Sequence, residues 1–425
     1  MAATDNSAKT LDDFIAIEVR KVGRSASVTL MPDPEPEPLF SPIISADDHA
    51  LEPPNLFEGR LPSAMRDRTP FLETDDVGLE WWVIDGIRVP ILMANAAAGR
   101  DPREWSSGGA TYAEVRPATW DAKARLHDMD LMGVWAQLCF GSLIWGFAGW
   151  RFSRQSDQAF GLALLRAYND WMLEEWCGTA PERYIPNQLP WLADPVIGAE
   201  EIRRNAARGF KAVSFTENPE PLGFPNIYDR SWDPFFAACQ ETDTVVNLHV
   251  GSSSVVQRPC SSSSLDVAAA LFPVSGLMAM VDWIYAEVPT RFPGLTIALS
   301  EAGCSWVPMA IERLNRAQRN DLSGDWPGRD LSPTELVRRN FVFTSIEDPS
   351  AFRQLDLIGE DNVMVETDYP HVDGTWPGSQ SMIRSQLSVL PAGVVRKVCF
   401  ENAARVYKAP LPSEEWVAQR HTVTG

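Results

Sequence analysis

The feature that most limits the fold is an alternation carried along most of the chain. Short apolar runs at 43–47, 134–140, 184–189, 212–215, 245–250, 295–300, 341–344 and 363–366 are bounded by turn-forming residues and read as strands. Between them, apolar residues recur at helical spacing over 120–131, 158–176, 195–207, 234–240, 267–291, 306–316 and 351–357, with a closing helix over 394–407. Eight strands separated mostly by helices predict an α/β protein with parallel strands, closing as a (β/α)8 TIM barrel. The competing open sheet that binds dinucleotides needs a Gly-x-Gly-x-x-Gly directly after a strand, and no strand here is followed by one.

The first crossover breaks the rhythm. It runs from Leu51 to Thr119 and contains Gly78-Leu79-Glu80-Trp81-Trp82-Val83-Ile84-Asp85-Gly86-Ile87-Arg88-Val89-Pro90, a hairpin pattern turning at Asp85-Gly86. A long insertion after strand one is therefore expected, placed to cover the barrel mouth. Residues 1–40 read as a flexible, acidic, proline-rich N-terminal extension. Its stretch Met31-Pro32-Asp33-Pro34-Glu35-Pro36-Glu37-Pro38 favours an extended, solvated chain that resists packing. The barrel is expected over 41–408, and 409–425 form a C-terminal tail in which Trp416 can dock. No internal repeat is visible.

Composition narrows the partners. A formal net charge of −20 argues against nucleic acid and anionic membrane surfaces, yet leaves room for a small anion beside a bound dication. The six cysteines form no Cys-x-x-Cys pair, so a disulfide framework or zinc knuckle is not expected and a reducing, cytoplasmic setting is. No secretory signal pattern or membrane-length apolar run is present. The expected partner is a small-molecule substrate, and a homo-oligomer such as a dimer is compatible with this reading.

Catalytic groups of such barrels come from the C-terminal ends of several strands. Strand one ends in Asp47-Asp48-His49, strand five in His249-Val250-Gly251, strand six in Ser300-Glu301-Ala302, and strand eight in Thr367-Asp368-Tyr369-Pro370-His371. Because strand residues alternate faces, Asp47 and His49 point the same way and Asp48 the other. Singly, each has a plain structural reading: a hydrogen-bonded Asp/His pair, a core histidine, an aspartate opening a turn. Gathered at one rim, Asp47, His49, His249 and Asp368 make a mixed nitrogen and oxygen set suited to one divalent zinc, manganese or iron ion, of which zinc or manganese is expected. Asp368 would also move protons, with Glu301 and His371 assisting.

Most of the sixteen tryptophans are expected in the core, while Trp81, Trp82 and Trp376 are the candidates to line a substrate pocket. His127 reads as structural and His421 lies in the tail. Serine clusters at 252–254 and 261–264 lack a Gly-x-Ser-x-Gly elbow, which argues against a serine nucleophile.

The spacing Asp47-x-His49-x-x-Glu52-Pro53, with His249-x-Gly251 and Thr367-Asp368-Tyr369-Pro370, resembles the amidohydrolase superfamily. The branch it resembles most includes aminocarboxymuconate-semialdehyde decarboxylase. Further pieces are Arg291-Phe292-Pro293-Gly294-Leu295, Trp306-x-Pro308 with Arg313-Leu314, and Asn402-Ala403-Ala404-Arg405-Val406-Tyr407. The resemblance implies that Asp47 replaces the first histidine of the usual His-x-His, and that His49, His249 and Asp368 are the other metal ligands. It also implies that Glu301 stands where this branch usually carries a histidine. The resulting acidity tilts the expected reaction toward metal-dependent hydrolysis of a neutral amide, ester or lactone. The alternatives are non-oxidative decarboxylation of an aromatic or unsaturated acid, and a non-catalytic barrel that binds a small ligand.

Overall fold

All eight predicted runs form strands in the computed structural model, which describes residues 28–106, 108–255, 257–260, 262–320 and 326–421 together with Val19 and Val22. Strand β1 (Ile43–Ala50) leads into the insertion, where β2 (Phe71–Thr74), β3 (Glu80–Ile84) and β4 (Ile87–Pro90) form an antiparallel sheet. The β3–β4 turn falls at Asp85-Gly86, and both residues have positive φ, 48° and 84°, as a two-residue primed turn requires.

The barrel continues with β5 (Val134–Gly141), which pairs in parallel with β1 and with β6 (Tyr184–Ile185). The predicted strand at 184–189 is split at Pro186, which has no N–H to give the ladder. It resumes as β7 (Asn187–Gln188), beside which β8 (Ala212–Thr216), β9 (Val245–His249), β10 (Ile297–Ser300), β11 (Phe341–Ser345) and β12 (Val363–Val365) follow in parallel order. Beyond β12 the chain crosses to β1. Thr367 N donates to Ser45 Oγ (2.9 Å), Asp368 N to Asp47 O (3.0 Å) and His49 N to Tyr369 O (2.7 Å). These bonds join the last strand to the first. Every residue of β1, β5, β8 and β9 is buried, as expected where side chains fill the barrel inside and helices cover it outside.

The helices show where periodicity misleads. The segment 267–291 is three helices, Leu265–Ala270, Phe272–Tyr285 and Val288–Arg291. Pro273 and Pro289 each start a new one, and Glu287 turns the chain at φ 58°. Helix Pro333–Asn340 was not expected, although Ser332-Pro333-Thr334-Glu335 carries its signal. Ser332 N donates to Glu335 Oε2 (2.8 Å) and Glu335 N to Ser332 Oγ (3.3 Å), a capping box with proline in the first turn.

The part of the N-terminal extension that is described runs extended, but its polar groups fasten it to the barrel. Met31 N donates to Gly99 O (2.7 Å), Phe40 N to Gln380 Oε1 (2.7 Å) and Ser381 N to Glu37 Oε2 (2.8 Å). Trp416 docks on Trp135 with ring centroids 5.5 Å apart. The cysteines are all unpaired, and five are buried. Among the described residues no helix is long and apolar enough to cross a membrane.

Trp82 shows how the insertion is anchored. It is fully buried, edge-on to Trp145 (5.4 Å) and Phe57 (6.2 Å). Trp82→Ala is expected to cost about 3–5 kcal/mol, read as a lower denaturant midpoint at constant slope. A loss under about 1 kcal/mol would contradict that anchoring role.

Candidate metal centre

The strand ends bring Asp47, His49, His249 and Asp368 to one buried point. The tautomers follow from what the two histidines face. His49 Nδ1 lies 3.3 Å from Gly141 O and His249 Nδ1 lies 2.7 Å from Val250 O. Carbonyl oxygens only accept, so each Nδ1 carries the proton and each Nε2 turns a lone pair inward. The two Nε2 atoms are 3.0 Å apart. Asp47 closes on both, with Oδ1 3.4 Å from His49 Nε2 and Oδ2 3.6 Å from His249 Nε2, and Asp368 Oδ1 is 3.4 Å from His49 Nε2. Apart from His371 Nδ1 beside Asp368 Oδ1 and the Ser300 hydroxyl beside Asp47, no described donor satisfies the oxygens of these two carboxylates.

Opposed lone pairs and sparsely bonded buried carboxylates are each unfavourable alone. A divalent cation offsets both; ligand atoms of Asp47, His49 and His249 lie within 4.8 Å of one another, as do those of His49, Asp368 and His371, and both trios suit such an ion. The acid–base behaviour points the same way. Burial, reinforced by Glu366 and Glu301, pushes Asp47 well above the usual carboxylate range, and burial with Asp373 and Glu301 does the same to Asp368. Burial lowers His49 far below its usual value and His249 to about 3. Without a cation, each group avoids its charged form.

Two further acids and a third imidazole border the cluster. Glu301 follows β10 and places Oε2 3.5 Å from His249 Nε2. His371 stacks on His49 at 3.8 Å, with Nδ1 2.9 Å from Asp368 Oδ1. One ligand-type atom from each of Glu301, Asp368, His371 and Asp373 lies within 4.8 Å of the others. Glu301 and Asp368 both take left-handed backbone, φ 60° and 48°, a conformation costing about 1–3 kcal/mol that the surrounding structure must hold. At Gly374 an added Cβ would meet Asp368 O at 2.6 Å, so that turn needs a glycine.

Several residues around the cluster were not anticipated. Asn95 Nδ2 lies 3.1 Å from His371 Nε2, which puts the ring proton on Nδ1, toward Asp368. Asn95 belongs to the insertion, which Ala98 N→Pro370 O (3.0 Å) and Val372 N→Ala94 O (2.9 Å) clamp to the loop after β12. The insertion thus reaches the site through an amide, and no local pattern marks that residue. Phe147 and Phe140 pack on His249 at 4.3 and 5.0 Å and wall the cluster with apolar rings.

Asp48 points away from the cluster, as strand alternation predicts, into a network that positions it. Its Oδ1 accepts from Thr367 Oγ1 (2.5 Å) and Tyr369 N (2.9 Å), the two neighbours of Asp368. With the Gln137 amide turned so that its nitrogen faces Asp48, it donates to Oδ2 (2.6 Å) and accepts from Arg125 Nη1 (3.1 Å). Arg125 is fully buried, gives Nη2 to His49 O (2.6 Å), and lies over the Tyr369 ring at 4.2 Å.

The three candidate pocket tryptophans lie elsewhere. Trp82 is core; Trp81 sits on the insertion sheet with its indole on Asp75 (2.8 Å); Trp376 packs edge-on against Tyr369 at 5.6 Å. His127 is largely exposed and pairs with Asp33 at 2.9 Å. His421 ends the last helix, Glu414–His421.

Known proteins share this architecture. An amidohydrolase from Mycobacterium avium subsp. paratuberculosis K-10 superposes with a TM-score of 0.67 at 24% identity, covering 87% of this chain and 100% of its own. The 5-carboxyvanillate decarboxylase of Sphingomonas paucimobilis gives 0.59 at 22%, covering 87% and 100%. That of Novosphingobium aromaticivorans DSM 12444, complexed with manganese and 4-hydroxy-3-methoxy-5-nitrobenzoic acid, gives 0.61 at 18%, covering 90% and 100%. At these identities the likeness is one of fold. The sequence model of the amidohydrolase family matches residues 148–409, more than half of the chain and including His249, Glu301, Asp368 and His371. By that match the chain belongs to the amidohydrolase family.

Proposed function

We propose that this protein is a metal-dependent, non-oxidative carboxy-lyase acting on a small aromatic or unsaturated acid. The observation that carries the choice is the pair of buried acids, Glu301 and Asp368, facing one side of the His49/His249 cluster. Counted as charges they would repel a substrate carboxylate, which is why the sequence favoured hydrolysis. Burial changes that count. It raises Glu301 well above the usual carboxylate range, with Asp373, Glu366 and Glu217 adding to the effect. Protonated, Glu301 would donate a hydrogen bond to a substrate carboxylate, whereas a bound dication pulls it toward the ionised form, and Glu301→Gln set against Glu301→Ala separates the two. Two of the similar folds are named as decarboxylases, and one holds manganese with a nitrobenzoic acid, which supports the same reading.

Asp47, His49, His249 and Asp368 would hold zinc or manganese, which supplies Lewis-acid chelation of the substrate's oxygens. Asp368, with His371 beside it, delivers a proton to the carbon that bears the carboxylate. The bond to that carboxylate then breaks, its electron pair staying with the substrate skeleton, and carbon dioxide leaves. Asp368 is left ionised until solvent returns a proton. Glu301 orients the departing carboxylate, and Phe140 and Phe147 keep water from the reacting carbon. Asn95 holds His371 in the tautomer that faces Asp368.

Matched panels of hydroxybenzoic acids, aryl esters, amides and lactones test the reaction, with released carbon dioxide and product mass as the readout. Carbon dioxide from an aryl acid supports the proposal; turnover confined to esters, amides or lactones contradicts it. Replacing Glu301 separates its roles. Glu301→Gln keeps a donor and should retain kcat within about threefold, whereas Glu301→Ala should lose about tenfold or more. If Gln is as damaging as Ala, Glu301 acts as a base and the donor role is wrong. Asn95→Ala is expected to lower kcat about tenfold with little change in KM, since His371 loses its orienting partner; an unchanged kcat would contradict that.

A further inference from the structure

Beside the metal cluster lies a groove of about 800 Å³ that the proposed chemistry does not use. It opens between helices Phe272–Tyr285 and Val307–Asn320 and reaches inward to the ends of β8 and β9. Its walls are mostly apolar, with Gln257, Asp282 and Arg313 among them, and Tyr228, Met278 and Met309, each about half exposed, all face it. Its inner end is polar. Glu217 follows Thr216, which pairs in register with His249, and Ser253 lies four residues beyond that histidine.

Glu217 is held firmly. Its N donates to Ser252 Oγ (3.0 Å), its O accepts from the Trp283 indole (3.0 Å), and its carboxylate accepts from Ser253 Oγ (2.8 Å). The residue is only 8% exposed, and no basic side chain among the described residues pairs with it. Burial pushes its carboxyl up to about 8. Held here with no basic partner, Glu217 is pushed toward its protonated form, and an ammonium-bearing ligand would supply the charge that favours its ionised form. The other charged groups of the groove are Asp282, already engaged by Tyr228 OH at 2.7 Å, and Arg313, whose side chain is exposed. An overall charge of −20 further favours a cationic ligand over an anionic one.

We propose that this groove binds the apolar, ammonium-bearing part of a small molecule, with Glu217 and Ser253 receiving the ammonium and Met278, Met309 and Leu314 enclosing the apolar body. The site needs neither a metal ion nor Asp368, so it stands or falls apart from the carboxy-lyase reading.

Calorimetric titration of the metal-stripped full chain with 4-phenylbutylamine, 4-phenylbutan-1-ol and 4-phenylbutanoate tests it. The amine should bind about tenfold more tightly than the alcohol, and the carboxylate should not bind. Glu217→Gln, which keeps size and hydrogen-bonding capacity, should erase the amine's advantage at an unchanged unfolding midpoint. Ala317→Trp, which fills the groove from its half-buried side, should abolish binding of both. Equal affinity for amine and alcohol, or amine binding unaffected by Glu217→Gln, would overturn the proposal. So would absence of amine binding together with a change in molar mass on Met309→Arg, which would mark the groove as a contact between copies of the chain.

Discussion

The site depends on a knot of hydrogen bonds that ties the first strand of the barrel to the last. Asp47 and His49 come from residues near the start of the barrel and Asp368 from near its end, some 320 positions later. Asp48, between the first two, bonds the residues on both sides of the third, Thr367 and Tyr369. Arg125 then carries the same link to the His49 carbonyl and, through Gln137, to β5. A carboxylate and a guanidinium buried this deeply are tolerated only because their polar atoms are so fully bonded. One strand therefore does two things by alternation: one face turns Asp47 and His49 into the cluster, and the other, through Asp48, fixes where they sit.

Against that network, the sparsely bonded carboxylates of Asp47 and Asp368 stand out. The protein bonds Asp48 through several donors and gives its neighbour Asp47 the Ser300 hydroxyl and two imidazole nitrogens. Buried, unpaired carboxylates each cost several kcal/mol when ionised. The cost is offset when a cation is bound.

Much of this was legible in the sequence, for physical reasons. Barrel strands are short, apolar and evenly punctuated, so each was found, and the Asp85-Gly86 hairpin was marked by the residues its turn requires. Asp47, His49, His249, Glu301, Asp368 and His371 stand out in the sequence because strand ends are where such barrels concentrate polar side chains, and the fold brings those side chains together. What was missed depends on tertiary contact. Asn95 and Phe147 have no local signature and matter only because the insertion and the loop after β5 fold back onto the histidines. Trp82 looked like a pocket residue in a hairpin, but that hairpin buries one face against Phe57 and Trp145. Glu217 was one acid among many until its burial and its place in the groove were seen.

The central claim is that Asp47, His49, His249 and Asp368 together hold a single divalent ion. Elemental analysis of the full chain after reconstitution with zinc or manganese and removal of excess metal tests it most directly. The account predicts about one ion per chain, falling below about a tenth of that in His249→Ala while the far-ultraviolet circular dichroism is unchanged. Wild-type protein that retains no metal, or His249→Ala protein that retains it fully, would contradict the account.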